Sequence, residues 1–380
     1  MTASALPTRV PLLDLKRAER PLHDEMKAAL EKIVESGIYI LGPEIQKCEE
    51  TISAYCQAKH GIACASGTDA LLLALMALDI QPGDEVILPS FTFFATAGSA
   101  ARLGATLKFA DILPDSYCID PASVRSLITE KTKAIIPVHL YGQSADMTSL
   151  TAISKEFNIP IVEDAAQAIG SQWEDKRVCS MGTFGCLSFY PTKNLGAAGD
   201  GGMVLTNDDE LAEKVTMLRV HGMKPRYYHQ ILGINGRLDA FQGATLNVKF
   251  PHLDTWIGMR QNNAKVYGEL FAAAGLDKIL TLPKQVHPGR HVWNQYVIRV
   301  PDGKRDDLRA FLTENQIGSD IYYPFGIHKQ PCFVNKGLHW DNLPETDKAG
   351  TEVLALPNFP GLTEEEQQVV VNCIAKFFNA

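Results

Sequence analysis

The sequence predicts an α/β protein: a mostly parallel sheet sandwiched by helices, followed by a smaller C-terminal α+β domain. Two observations carry that expectation. From about residue 60 to 207, short β-rich runs alternate with helical segments, the rhythm of βαβ units. Those runs are almost continuously apolar, as strands buried on both faces must be. A third observation sets the division into domains. At 380 residues the chain exceeds one small core, and a helical stretch after residue 208 separates two patterns. Residues 1–250 are therefore read as the large domain and 251–380 as the small one.

In order along the chain, GIACA is a short apolar segment that gives way to Ser-Gly-Thr-Asp and a strongly apolar helix near 69–79. EVILP (85–89), TLKFADI (106–112), AIIPVHL (134–140) and IPIVEDA (159–165) read as buried strands, with helices near 121–130 and 146–157 between them. CLSFY (186–190) and GGMVLTN (201–207) add two more strands. DDELAEKVTMLRVH and RLDAFQGATLNVKFPHLDTWIGMRQNNAKVYGELF then read as a long helix or a pair linking the domains. QYVIRV (295–300) and IGSDIYY (317–323) are the strands expected in the small domain, with helices near 305–315 and 362–378.

Hydrophobic residues make up 46% and charged residues 21%, values of an ordinary globular chain. The formal net charge of −8 argues against a general nucleic-acid or anionic-membrane surface, while leaving room for a local pocket that takes a phosphorylated ligand. The eight cysteines form no CxxC pair and no zinc-like spacing, so buried free thiols and no metal are expected. The longest apolar run, ALLLALMAL, is too short to span a bilayer, and Met1 to Arg9 has no signal-peptide pattern. A cytoplasmic location, without membrane or nucleic-acid partners, is the expectation.

Three segments could carry chemistry. In ASGTDALLLALMAL the free N–H groups of a helix start, with Gly67 permitting close approach and Thr68 offering a hydroxyl, suit a phosphate; an ordinary N-cap by Ser66 or Thr68 explains the same residues. In VEDAAQAIGS, Asp164 ends a buried strand, where open α/β sheets gather their ligands. A buried carboxylate needs a cation or donors, and a protonated pyridine nitrogen would serve; a neighbouring arginine or a helix cap would serve as well. In SFYPTKNLGAAGDGG, Lys193 lies among apolar and aromatic neighbours before a glycine-rich turn. Desolvation lowers a lysine pKa, and the neutral amine condenses with an aldehyde. Most lysines are merely solvated, so what singles out Lys193 is its company. Together the three segments supply the parts of a pyridoxal phosphate site.

Other residues are less specific. Phe91, Phe93 and Phe94 follow EVILP, and any of them could stack on a cofactor ring or simply fill the core. Ser188 could add a hydroxyl to the phosphate or bond to backbone. His139, in HLYGQ, reads more readily as a satisfied histidine than as a catalytic one. GAAGDGG lacks the GxGxxG spacing and precedes a strand, which speaks against a nicotinamide dehydrogenase.

Taken together and in this order, DLK, GIYILGPEI, SGTDALLLAL, QPGDEVILPSFTFFATA, HLYGQ, VEDAAQAIGS, SFYPTKNLGAAGDGG, GINGRLDAFQGA and YYPFGIHKQPCF make the chain resemble, nearly end to end, the DegT/DnrJ/EryC1/StrS family of pyridoxal-phosphate-dependent sugar aminotransferases. The resemblance implies the aspartate aminotransferase fold, fold type I. It makes Lys193 the Schiff-base and proton-transfer lysine and Asp164 the partner of the pyridine nitrogen. It places Gln167 at the ring hydroxyl, Phe93 on the ring face, and Gly67, Thr68 and Ser188 at the phosphate. Asn235 would reach the phosphate of a neighbouring subunit, which implies a homodimer with shared active sites. Tyr39, Arg237, Tyr323 and His328 would face the substrate, Arg237 meeting a carboxylate if the sugar is a uronate.

One branch of the family dehydrates sugars and has histidine at the Schiff-base position; Lys193 therefore implies transamination, from L-glutamate to a keto-sugar of a nucleoside diphosphate. A 3-keto UDP- or dTDP-sugar is the expected acceptor, UDP-3-keto-N-acetylglucosaminuronate being one candidate. Gly236 and His328 depart from many such relatives. The rival readings are another pyridoxal-phosphate reaction, such as sugar dehydration or amination of a cyclitol ketone, and a non-enzymatic regulator on the same fold.

Overall fold

The computed structural model describes residues 9–335, 340 and 343–379. Its main strands are β1 (His60–Cys64), β2 (Glu85–Pro89), β3 (Thr106–Ala110), β4 (Thr132–Ile135), β5 (Val162–Asp164), β6 (Phe184–Ser188) and β7 (Gly202–Thr206). They form a three-stranded sheet, β3-β2-β4, and a four-stranded sheet, β5-β6-β7-β1. Parallel bridges Ile135–Ile161 and Val138–Asp164 join the two. Pairs β3-β2, β2-β4 and β5-β6 are parallel, and only β7 runs against its neighbours. The mostly parallel sheet expected from the sequence is thus present, with one reversed strand.

Both faces of the sheet are covered, and alternate residues of one strand go to different cores. Val204 of β7 packs with Val86 and Leu88 around the helix Gly67–Ala77, whereas Met203 and Leu205 pack with Ile45 and Ile52 of the helix Pro43–Tyr55. Ile87 of β2 faces a third cluster with Leu150 and Ile153 of the helix Met147–Phe157. That period of two, with both faces buried, is the physical origin of the almost continuous apolar runs. Leu73 is fully buried in the first cluster, so Leu73→Ala is expected to destabilise the fold by about 2–5 kcal/mol.

The helical stretch after residue 208 is not continuous. Helix Asp209–Leu218 is followed by an irregular segment to Asp239, then by helices Ala240–Lys249 and Leu253–Ala273. A short 3₁₀ turn, Phe250–His252, separates the last two, because Pro251 has no N–H to give the ladder. Beyond it β8 (Tyr296–Arg299) pairs antiparallel with β9 (Val353–Leu356). These strands share a core with helices Leu253–Ala273, Arg305–Glu314 and Glu364–Phe378, and Val10 near the start of the chain joins it.

IGSDIYY is not the strand that its composition predicts. Ile317 bridges only to Val10 and Asp320 only to Ala355. The Asp320 side chain accepts from the next backbone N–H, that of Ile321 (2.9 Å), a local bond that competes with a ladder. Six cysteines are buried as expected, but Cys332 is exposed and Cys373 half-buried. Among the described residues no helix is long and apolar enough to cross a membrane.

Candidate active site

A cavity of about 670 Å³ opens where the parallel strands end, the place at which open α/β sheets take their ligands. The loop after β1 brings Ser66, Gly67 and Thr68 to its wall; the loop after β2 brings Thr92 and Phe93; β5 and the turn after it bring Asp164 and Gln167; β6 and its turn bring Ser188 and Lys193. Tyr323 arrives from the C-terminal half.

Lys193 sits in a turn held by its own N–H donating to the Tyr190 carbonyl (2.9 Å) and by Ala197 N–H donating to the Phe189 carbonyl (2.7 Å). Among the described residues its Nζ takes part in no hydrogen bond or ion pair. Burial lowers its pKa from 10.5 to about 8, against a smaller opposing pull from Asp164. The amine is therefore partly neutral near physiological pH.

Asp164 is buried, and burial raises its pKa; the Thr96 hydroxyl (2.8 Å), the Ala166 N–H (3.2 Å) and the charge of Lys193 pull the other way. These two donors leave acceptor capacity open on the carboxylate. Its neighbour Glu163 has the opposite fate. Fully buried, it accepts from Cys179 (2.8 Å), Met181 (3.0 Å) and Gly182 (2.6 Å) N–H groups and from His139 Nε2 (2.9 Å). Ala145 N–H donates to His139 Nδ1 (3.0 Å), which puts the imidazole proton on Nε2. Glu163 and His139 thus form a closed structural pair, and Asp164 is the carboxylate left facing the cavity.

The helix start beside them is built for close approach. Ser66 Oγ caps it by accepting from Asp69 N–H (3.0 Å), so the Thr68 hydroxyl is not the cap. A Cβ on Gly67 would lie 2.6 Å from Ser188 Cβ, and one on Gly202 would lie 2.3 Å from the Ser66 carbonyl oxygen. Neither contact is sterically possible without movement, so these glycines let the helix start, β6 and β7 converge. Free amides, the Thr68 and Ser188 hydroxyls and the helix dipole converge there too, a donor set that fits a phosphate.

Gln167 Oε1 accepts from Tyr141 N–H (2.7 Å), and its Nε2 lies 3.4 Å from the Tyr323 hydroxyl. Of the three phenylalanines, Phe91 is fully buried, Phe94 stacks on Phe333 (5.8 Å), and Phe93 lines the cavity with 59% of its surface exposed. Four residues singled out in the sequence lie outside the cavity of their own chain. Tyr39 is exposed and stacks on Phe241 (5.8 Å). Asn235 is exposed, and Arg237 pairs its backbone with Cys64 while its Nε has no partner among the described residues. His328 is buried against Ser90, Oγ to Nδ1 2.6 Å. The sequence reading missed Thr96. Its hydroxyl reaches Asp164 only in the folded chain, and nothing in FFATA marks it.

The half-buried Lys193 of lowered pKa, the strand-end Asp164 and the glycine-lined helix start thus meet in one cavity on a mostly parallel sheet. The chain belongs to the DegT/DnrJ/EryC1/StrS aminotransferase family, whose profile matches residues 21–375. It is 53% identical, over 97% of its length and 98% of the other's, to a Geobacillus stearothermophilus protein named pleiotropic regulatory protein. It is 43% identical to the UDP-N-acetyl-3-dehydro-alpha-D-glucosamine 3-aminotransferase of Acidithiobacillus ferrooxidans, covering 94% of this chain and 95% of that one. The crystal structure of S. venezuelae DesV in complex with a ketimine intermediate superposes with a TM-score of 0.93 at 38% identity, over 98% of this chain and 99% of that one.

Proposed function

We propose that the protein uses pyridoxal phosphate to move an amino group from L-glutamate to the ketone of a nucleoside-diphosphate sugar, the 3-keto position of a UDP- or dTDP-sugar being the best match. The observation that carries this reading is the pairing, in one cavity, of a lysine with pKa near 8 and a buried aspartate with unused acceptor capacity. The name of the Acidithiobacillus relative supports the 3-keto UDP-sugar.

Bound pyridoxal phosphate would supply an electron sink for the carbanion left when the amino-bearing carbon loses its proton. Gly67 and Thr68 amides, with the Thr68 and Ser188 hydroxyls, would hold its phosphate. Asp164, set in place by Thr96 and Ala166, would hold a proton on the ring nitrogen. Gln167 would meet the ring hydroxyl and Phe93 would cover one ring face. Lys193 Nζ accepts and returns a proton most effectively when its pKa lies near the working pH, which burial arranges.

Asn235 and Arg237 would complete the cavity of a second copy. Their segment carries Tyr227 and Leu232 with 74% and 92% of their surfaces exposed, apolar area that a partner would cover. Tyr39, also exposed, would join them there, whereas His328, buried against Ser90, would not touch the substrate.

The regulatory name of the Geobacillus relative favours a second reading, a regulator on this fold. Borohydride treatment of protein loaded with pyridoxal phosphate separates the cofactor claim from its alternatives. The reading expects a pyridoxyl group fixed on the peptide that contains Lys193, and no such adduct in Lys193→Ala. A wild-type protein that takes no label would remove the cofactor and the enzymatic reading with it.

A further inference from the structure

Behind Lys193 lies a second, smaller chamber of about 90 Å³. Thr192, Lys193, Gln295 and Tyr322 line both it and the main cavity, so the two spaces share a wall at the reactive amine. The chamber has room for a carboxylate-sized group or a few waters and is too small for a nucleotide. Arg260, on the helix Leu253–Ala273, forms part of its wall and is 3% exposed.

Arg260 has no ion-pair partner among the described residues. Its Nη1 donates to the backbone carbonyls of Asn294 (3.2 Å) and Asn358, and its Nε has no acceptor among the described residues. Asn294 Oδ1, on the same wall, is likewise without a partner among them. Burial lowers the arginine pKa to about 10, with no carboxylate close enough to counter it. A buried cation without a counter-charge is costly. A purely structural brace for two carbonyls would leave both the charge and the Nε donor unanswered. Lys193 and Arg260 are also the cationic side chains that line the two spaces among the described residues. Since Lys193 is given to the chemistry, an anionic amino-acid donor has Arg260 as its fixed positive charge within the protomer.

We propose that this chamber is a carboxylate subsite for the amino-acid donor, with Arg260 as its charge-bearing binding residue. The inference rests on the amino-transfer reading for the identity of the ligand, but the anion site itself does not. A bidentate guanidinium–carboxylate contact is worth about a 10- to 100-fold change in affinity when removed. Arg260→Lys keeps the charge and loses the fork. Asn294→Asp places a negative charge on the wall of the chamber, where it would neutralise Arg260 internally and compete with the ligand, a second variant that leaves the arginine and its two carbonyl contacts in place.

The experiment measures the KM of L-glutamate and of the keto-sugar separately in the holoenzyme, and calorimetric binding of glutarate, a dicarboxylate that cannot react. Both variants should raise the KM of L-glutamate about 10- to 100-fold, leave that of the keto-sugar within about twofold, and weaken glutarate binding in parallel. A wild type that binds glutarate, with the loss seen in Arg260→Lys, supports the subsite even where no keto-sugar is aminated, an outcome that counts against the proposed function alone. Folded variants with unchanged L-glutamate KM and glutarate affinity overturn the subsite while amination persists. A rise confined to the KM of the keto-sugar overturns it too, because the carboxylate held would then be the sugar's.

Discussion

Lys193 gives the sharpest single test of the site. With a pKa near 8, about one amine in ten is neutral at pH 7, against about three in ten thousand for a lysine at the ordinary 10.5, a difference of about 300-fold. Trace acetylation of the apoprotein across pH 6 to 11, read peptide by peptide in a mass spectrometer, reports this fraction directly. Lys193 labelling should rise to a plateau with its midpoint near 8, while exposed lysines keep climbing. Asp164→Asn should move the midpoint lower, because it removes the one charge that favours the ammonium while the burial remains. The same shift fixes a sign for stability. The folded state releases the Lys193 proton at a lower pH than the unfolded chain, so stability gained from this group rises with pH between about 8 and 10.5. Apoprotein carrying Lys193→Met should therefore be the more stable at neutral pH, with the gap closing as pH rises through that window. A labelling midpoint near 10.5, or an upward shift in Asp164→Asn, would refute the reasoning.

Gly67→Ala places a methyl 2.6 Å from Ser188 Cβ and should weaken pyridoxal phosphate binding by about tenfold or more in a direct titration; unchanged affinity would remove Gly67 from the phosphate cradle. Thr96→Val deletes a donor that lowers the Asp164 pKa, so the acid limb of the pH–rate profile should move to higher pH and the rate should fall about tenfold. An unmoved limb would make Thr96 a packing residue only. Inactive Lys193→Ala and Arg237→Ala homodimers, refolded together, should regain about a quarter of wild-type activity, since half of random dimers are mixed and half of their sites intact. No recovery in proven mixed dimers would confine Arg237 to its own subunit.

How legible the molecule was depends on how local each feature is. EVILP is strand β2 to the residue, because every one of its side chains is buried and the run needs no context to be read. IGSDIYY failed as a strand because Asp320 bonds locally to Ile321 and the segment pairs only at single residues. Lys193, Asp164 and Gly67 were legible as a set, since Asp164 and Lys193 end or follow strands that the pattern placed and Gly67 opens the apolar helix after GIACA. The residues alone left open which phenylalanine faces the cavity, because Phe91 and Phe93 differ only in the direction that the loop turns, and it was the family resemblance that named Phe93. Thr96 and Arg260 were invisible for a related reason: each matters through a partner or a missing partner far away in sequence.

The central claim is amino transfer to a nucleotide-linked ketone. The most direct measurement supplies the protein with pyridoxal phosphate, ¹⁵N-labelled L-glutamate and a panel of keto-sugars on UDP and dTDP, and follows the sugars by mass spectrometry. The account predicts that a 3-keto member gains a ¹⁵N amino group, that 2-oxoglutarate appears in equal amount, and that Lys193→Ala produces neither. Labelled glutamate left untouched by the holoenzyme, or a sugar that loses water without gaining nitrogen, would contradict it.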